Sequence, residues 1–139
     1  MKPSPEERAR RLCLTLPESS EKPSHGRPSF WARGKMFAMF MDNHHGDERV
    51  ALWLKAAPGV QAIVVGADPK RFFVPPYVGP SGWIGVRVDL DPDWHEVAEH
   101  VRAAHQEASI AGRGKRAPAA KRAQPRKPAR KPAQRRRGR

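Results

Sequence analysis

The densest chemistry in this chain is cationic. Thirteen of its 27 Lys and Arg side chains fall after residue 111, at Arg113, Lys115, Arg116, Lys121, Arg122, Arg126, Lys127, Arg130, Lys131, Arg135, Arg136, Arg137 and Arg139, with no Asp or Glu among them. Unopposed cations of this kind bind phosphates through charge, and such contacts position a protein on nucleic acid without reading its bases. Engaging about 6 to 10 phosphates makes affinity fall by roughly 10³ to 10⁵ between 50 and 200 mM salt. A short charge run is usually just a solvated tail, but this many cations without an acid point to a polyanion, DNA first and RNA second. Nothing apolar accompanies the charges, which argues against a membrane as partner. Arg113-Gly114-Lys115-Arg116 is only weakly similar to a minor-groove hook, because the flanking prolines of such hooks are absent.

A second set of candidates lies upstream. Arg27, Arg33 and Lys35 cluster around one basic turn, and Arg71 and Arg87 flank a second string. Phe30, Trp31, Tyr77 and Trp83 stand near them and suit stacking on bases or packing on sugars. Aromatics beside arginine in a small sheet equally suit core and rim packing, so two readings of these residues stay open.

Other groups promise less. His44 and His45 with Asp42 and Asp47 have the donor types of a transition-metal site, but adjacent histidines in a turn rarely converge on one ion, and no metal site is expected. His95, His100 and His105 are five residues apart on a helix and point to different faces. Cys13, the single cysteine, falls on an apolar helical stripe and reads as a buried structural thiol. There is no glycine-lysine phosphate loop, no paired metal motif and no nucleophile beside a base, so neither enzymatic activity nor a cofactor is expected.

The elements that must position these groups follow from period and caps. Ser4-Pro5-Glu6-Glu7 is a helix start with a capping box, and Ala9, Leu12, Cys13 and Leu16 continue it as a stripe to about residue 15. Residues 18–28 suit a loop or short edge strand. Phe30 to Met41, broken by Arg33-Gly34-Lys35, predicts a β-hairpin with a basic tip. Val50, Leu52 and Leu54 alternate as a strand, and so do Ile84, Val86 and Val88. Val60, Ile63, Val64 and Ala67 predict a helix within 58–68, and Phe72 to Val74 an edge strand ended by Pro75-Pro76. Asp91-Pro92-Asp93 opens a last helix whose stripe is Trp94, Val97, Ala98, Val101, Ala104 and Ala108. Two or three helices on an antiparallel sheet of four or five strands give an α+β domain.

Charge divides where the apolar residues end. Residues 1–111 carry 14 Lys and Arg against 14 Asp and Glu, so the net charge of +13 belongs to residues 112–139. Four prolines and three glycines there predict a disordered arm. In a polyproline-like form, at about 3.1 Å per residue, it would reach roughly 85 Å. The expected organisation is a domain over 1–111 and a tail over 112–139. No apolar leader follows Met1 and no run of 18 apolar residues occurs, which predicts a cytoplasmic, nucleoid-associated protein, most simply a monomer.

Over residues 5–108 the order of unusual strings resembles the MmcQ/YjbR family. The strings are Leu16-Pro17-Glu18, then Ser24-His25-Gly26-Arg27-Pro28-Ser29-Phe30, then Lys35-Met36-Phe37-Ala38. Asp68-Pro69, Arg71 through Gly79, Gly82 through Arg87, and Asp93-Trp94 follow. The resemblance implies a CyaY-like fold, with helices on one face of an antiparallel sheet, and a DNA-binding role. It does not extend to iron handling, since Glu6 and Glu7 are followed by Arg8, Arg10 and Arg11 where an acidic ridge would be needed. The function expected is DNA binding through the tail, with the domain orienting the complex or adding modest selectivity. The alternative is a protein- or small-molecule-binding module near Tyr77, Trp83 and Arg87, localised to nucleic acid by its tail.

Overall fold

The computed structural model describes residues 2–116, the last five as helical backbone only. Helix α1 spans Pro5–Leu14. Its first turn closes as the capping box requires: the Glu7 N–H donates to Ser4 Oγ at 3.1 Å, and the Ser4 N–H donates to Glu7 Oε1 at 3.2 Å. Its inner face buries Ala9 and Cys13 completely.

Six antiparallel strands follow: β1 (Ser19–Glu21), β2 (Ser29–Ala32), β3 (Lys35–Asp42), β4 (Val50–Leu54), β5 (Phe72–Phe73) and β6 (Ile84–Arg87), in the spatial order β1-β2-β3-β4-β6-β5. The sheet exceeds the expected four or five because both short edge segments pair. The β2–β3 hairpin turns at Arg33-Gly34, both at positive φ (53° and 80°), the backbone of a two-residue turn whose twist matches the strands. A bulge in this hairpin, where Phe30 faces Ala38 and Trp31 faces Met36, sends both Phe37 and Ala38 to one side.

That side carries the main core. Phe30, Phe37, Phe40, Leu52, Leu54, Phe72, Ile84 and Val86 pack against α1 and against α3 (Trp94–Arg116), which contributes Val97, Val101, Ala104 and Ala108. The Asp93 carboxylate caps α3 by accepting from the His95 N–H at 3.0 Å, so the second of the two acids around Pro92 is the cap. The helix runs five residues past the boundary expected at 111. Residues 117–139, with the predicted phosphate contacts from Lys121 to Arg139, lie outside the described residues, as do the side chains of Arg113, Lys115 and Arg116.

The other side of the sheet is also apolar. Met39 and Met41 on β3, Ala51 and Trp53 on β4 and Phe73 on β5 are buried there, together with Trp83 from the segment before β6. Helix α2 (Val60–Ala67) ties that segment down: its Gln61 side-chain amide donates to the carbonyls of Gly79 (2.9 Å) and Trp83 (2.7 Å). Gly85 is there because a Cβ would lie 2.4 Å from the Phe73 ring. Gly79 likewise sits against Val74, and Gly82 turns at φ +90°, so these glycines serve turns and close packing as expected. Among the described residues no helix is long and apolar enough to cross a membrane.

Candidate functional site

The second sheet face does not close over completely. A cavity of about 550 Å³ opens on it, within the range of small-ligand sites. Its floor is Met36, Met39 and Met41 from β3 with Trp53 from β4. Side chains alternate along a strand, so a run that is apolar at both odd and even positions places a second apolar set away from the helices. Thioether floors adapt their shape and make favourable contacts with aromatic rings.

Three loops supply the rim. Between β1 and β2, Ser24 and Arg27 pair across a tight turn made by His25 and Gly26 at φ 53° and 75°. Between β3 and β4, a single 3-10 turn at His44–Gly46 presents two imidazoles. Beyond β5, Pro75-Pro76 stops the strand, and Tyr77, at φ 67° and 75% exposed, stands over the opening beside Val78. The rings form an edge-to-face group: His44 lies 4.0 Å from His45, 4.9 Å from Trp53 and 5.9 Å from Tyr77, centroid to centroid.

The electrostatics of this rim are one-sided. Among the described residues no carboxylate lines the cavity, whereas Arg27, Ser24, Tyr77 and three histidines do. Arg27 donates to the Asp42 backbone carbonyl at 3.0 Å, a neutral partner that fixes the guanidinium without cancelling its charge. Burial, then the nearby His45 and Arg27, hold the His44 imidazole below its ordinary pKa, with Asp47 opposing. In the floor, the Trp53 indole N–H is buried and has no acceptor among the described residues. A buried donor in that state costs about 1–3 kcal/mol.

The other predicted contacts in the domain are arranged differently. Phe30 and Trp83 are only 1% and 5% exposed, so the expectation that they stack on bases is corrected: each is packed into a core, on opposite sides of the sheet. Arg33 pairs with Glu18 at 2.8 Å, and Arg87 with Asp89 at 2.9 Å. Arg71 lies 3.8 Å from both Asp68 and Glu96. Lys35 also has a partner. The predicted arginines are thus matched by acids, except Arg27. Of the nine candidates in the domain, Arg27 and Tyr77 are brought together at the cavity.

His25, His44, His45, Val78, Trp53 and the three methionines belong to the site but were not among the predicted contacts. The signal for the floor was present, since Phe37 to Met41 is apolar without a break and so needs cover on both faces. Nothing local signals that the 24–27, 44–46 and 77–78 loops converge. Among the described residues no cluster of three or more His, Cys, Asp or Glu side chains is placed to hold a metal. His100 and His105 instead pack edge-on against Phe72 and Phe37. Cys13 is buried, and burial pushes its thiol up to about 12, far from a nucleophile's range.

Comparison with known proteins agrees with this architecture. A family model described as YjbR matches residues 14–107. The crystal structure of a Deinococcus radiodurans protein with a DUF419 domain is similar at a TM-score of 0.64 and 20% identity, over 75% of this chain and 78% of that one. No curated protein matches.

Proposed function

The chain belongs to the YjbR family, and from that premise we propose that it is a non-enzymatic, nucleoid-associated monomer that binds DNA largely without regard to sequence, through the phosphates. The observation that carries this reading is the segregation of charge: 13 cations without an acid after residue 111, against 14 of each sign before it. Such an arm releases counterions from a duplex, and its affinity depends steeply on salt. RNA meets the same chemistry, and a duplex-against-single-strand competition separates the two.

A specific observation favours a second role for the domain. Its arginines are mostly matched by acids and two of its four predicted stacking rings are buried, which weakens the idea that it selects sequence. The 550 Å³ cavity favours a binding module held on nucleic acid by the tail. The test is a salt series of duplex binding with the full chain and with a chain ending at Arg116, which keeps α3 and removes ten of the thirteen cations. Removing them is expected to lower affinity by orders of magnitude and flatten the salt slope. Equal binding by both chains would overturn the assignment.

A further inference from the structure

We propose that the cavity between the 24–27, 44–46 and 77–78 loops binds a flat aromatic anion, with its ring over the methionine floor and its charge at the rim against Arg27 and the histidines. The proposal rests on the reading of the domain as a binding module and names what it binds.

Three independent features carry it. Met36, Met39 and Met41, with Trp53, make a floor that is soft, apolar and polarizable, the surface that favours a ring over an alkyl chain. Tyr77 and His45 stand exposed above it as flat walls. Among the described residues the rim then offers donors and cations and no carboxylate, with Arg27 oriented by the Asp42 carbonyl and carrying a charge that no acid there neutralises within bonding range. Trp53, whose indole N–H is buried without an acceptor among the described residues, lines the same cavity and so reports on its occupancy. A cation would meet like charge here, and a neutral aliphatic molecule would leave the donors unused.

This chemistry has two sources, a nucleobase with its phosphate and a small aromatic carboxylate. Both are tested on the full-length, ¹⁵N-labelled protein at 200 mM salt with deoxyadenosine monophosphate, 2-naphthoate and the uncharged 2-naphthamide. The readout is the Trp53 indole N–H resonance, assigned with Trp53→Phe, because ions held by the tail leave that signal in place. At least one anion is expected to shift it saturably and at least about tenfold more tightly than naphthamide, one rim charge being enough for a tenfold preference. Arg27→Gln is expected to erase that preference. His45→Ala, at an exposed position, is expected to weaken binding with the fold intact, and serves if Arg27→Gln disturbs the loop. Tighter binding of the nucleotide assigns the site to nucleic acid or free nucleotides; tighter binding of naphthoate assigns it to aromatic carboxylates. If naphthamide binds as well as the anions and Arg27→Gln changes nothing, the anion assignment is overturned and the binding module survives. If none of the three moves the Trp53 signal at millimolar concentration, the binding-module reading falls with it.

Discussion

His44 stands edge-on to Trp53, with ring centroids 4.9 Å apart at 70°, so an imidazole from a surface turn meets the indole in the floor of the cavity. This contact joins the turn between β3 and β4 to the centre of the sheet. It also ties the rim to pH, because protonating His44 puts a charge beside Arg27 and His45 at a partly buried site.

The sign of that dependence follows from the lowered pKa. The unfolded chain takes up a proton on His44 near pH 6.5 before the folded chain does, so stability is full above that pH and is lost as pH falls through 6.5 towards the folded value. Thermal unfolding of the native protein and of His44→Gln between pH 7.5 and 5 measures it. The gap between the two melting curves is expected to shrink with acid, and parallel curves would remove His44 from the account.

Arg87 and Asp89 act in the same direction, over a more acidic window. The guanidinium hydrogen bond holds the Asp89 carboxyl below the ordinary carboxylate range. Its contribution is therefore present above about pH 4 and lost as pH falls further. Replacing Asp89 with Asn should lower the melting temperature at pH 7 and make no difference near pH 2.

Because Arg33 and Arg87 already hold acids, Arg33→Ala and Arg87→Ala are expected to change duplex affinity less than about threefold. Neutralising four tail arginines is expected to cost far more and to reduce the salt slope by about one unit for each phosphate that is no longer neutralised. Filter binding at several salt concentrations distinguishes the two classes. Large losses from the domain variants alone would move the DNA surface back onto the sheet.

Phe30→Ala should act as a core deletion, costing about 3–5 kcal/mol in chemical denaturation, because its ring is buried under α3 rather than offered to a base. On the opposite face, Gly85→Ala pushes a methyl group into the Phe73 ring and is expected to cost about 1–3 kcal/mol. Phe73→Leu in the same chain should return part of that loss, and no recovery would mean that the glycine serves something other than the ring.

Cys13 offers a kinetic check. With its thiol pushed up to about 12 and fully buried, it is expected to react with a disulfide reagent at pH 8 only as fast as the protein opens. Rapid labelling of the native protein would place the thiol at the surface instead of under α1.

Much of the architecture is written locally. Ser4, Pro5 and Glu7 specify a helix start from neighbours three residues apart, Arg33-Gly34 specifies a hairpin turn, and the stripe from Val97 to Ala108 specifies a buried helix face. The partition of charge needs no structure at all, since it is a property of order along the chain. Local periodicity also contained the two-sided apolar run at Phe37 to Met41, which implies cover on both sheet faces.

What only the tertiary structure decided is the company each side chain keeps. Whether Phe30 is a stacking platform or a core ring depends on what covers its face of β2, and α3 packs there only once the strands have paired. Whether Arg27 is free to meet an anion while Arg33 and Arg87 are not depends on where Glu18, Asp42 and Asp89 come to lie. The cavity joins His25, His44 and Tyr77, which lie far apart along the chain. Composition and periodicity carry information over a few residues, whereas a site built where loops meet is set by strand order and register, and those come from the whole sheet packing at once.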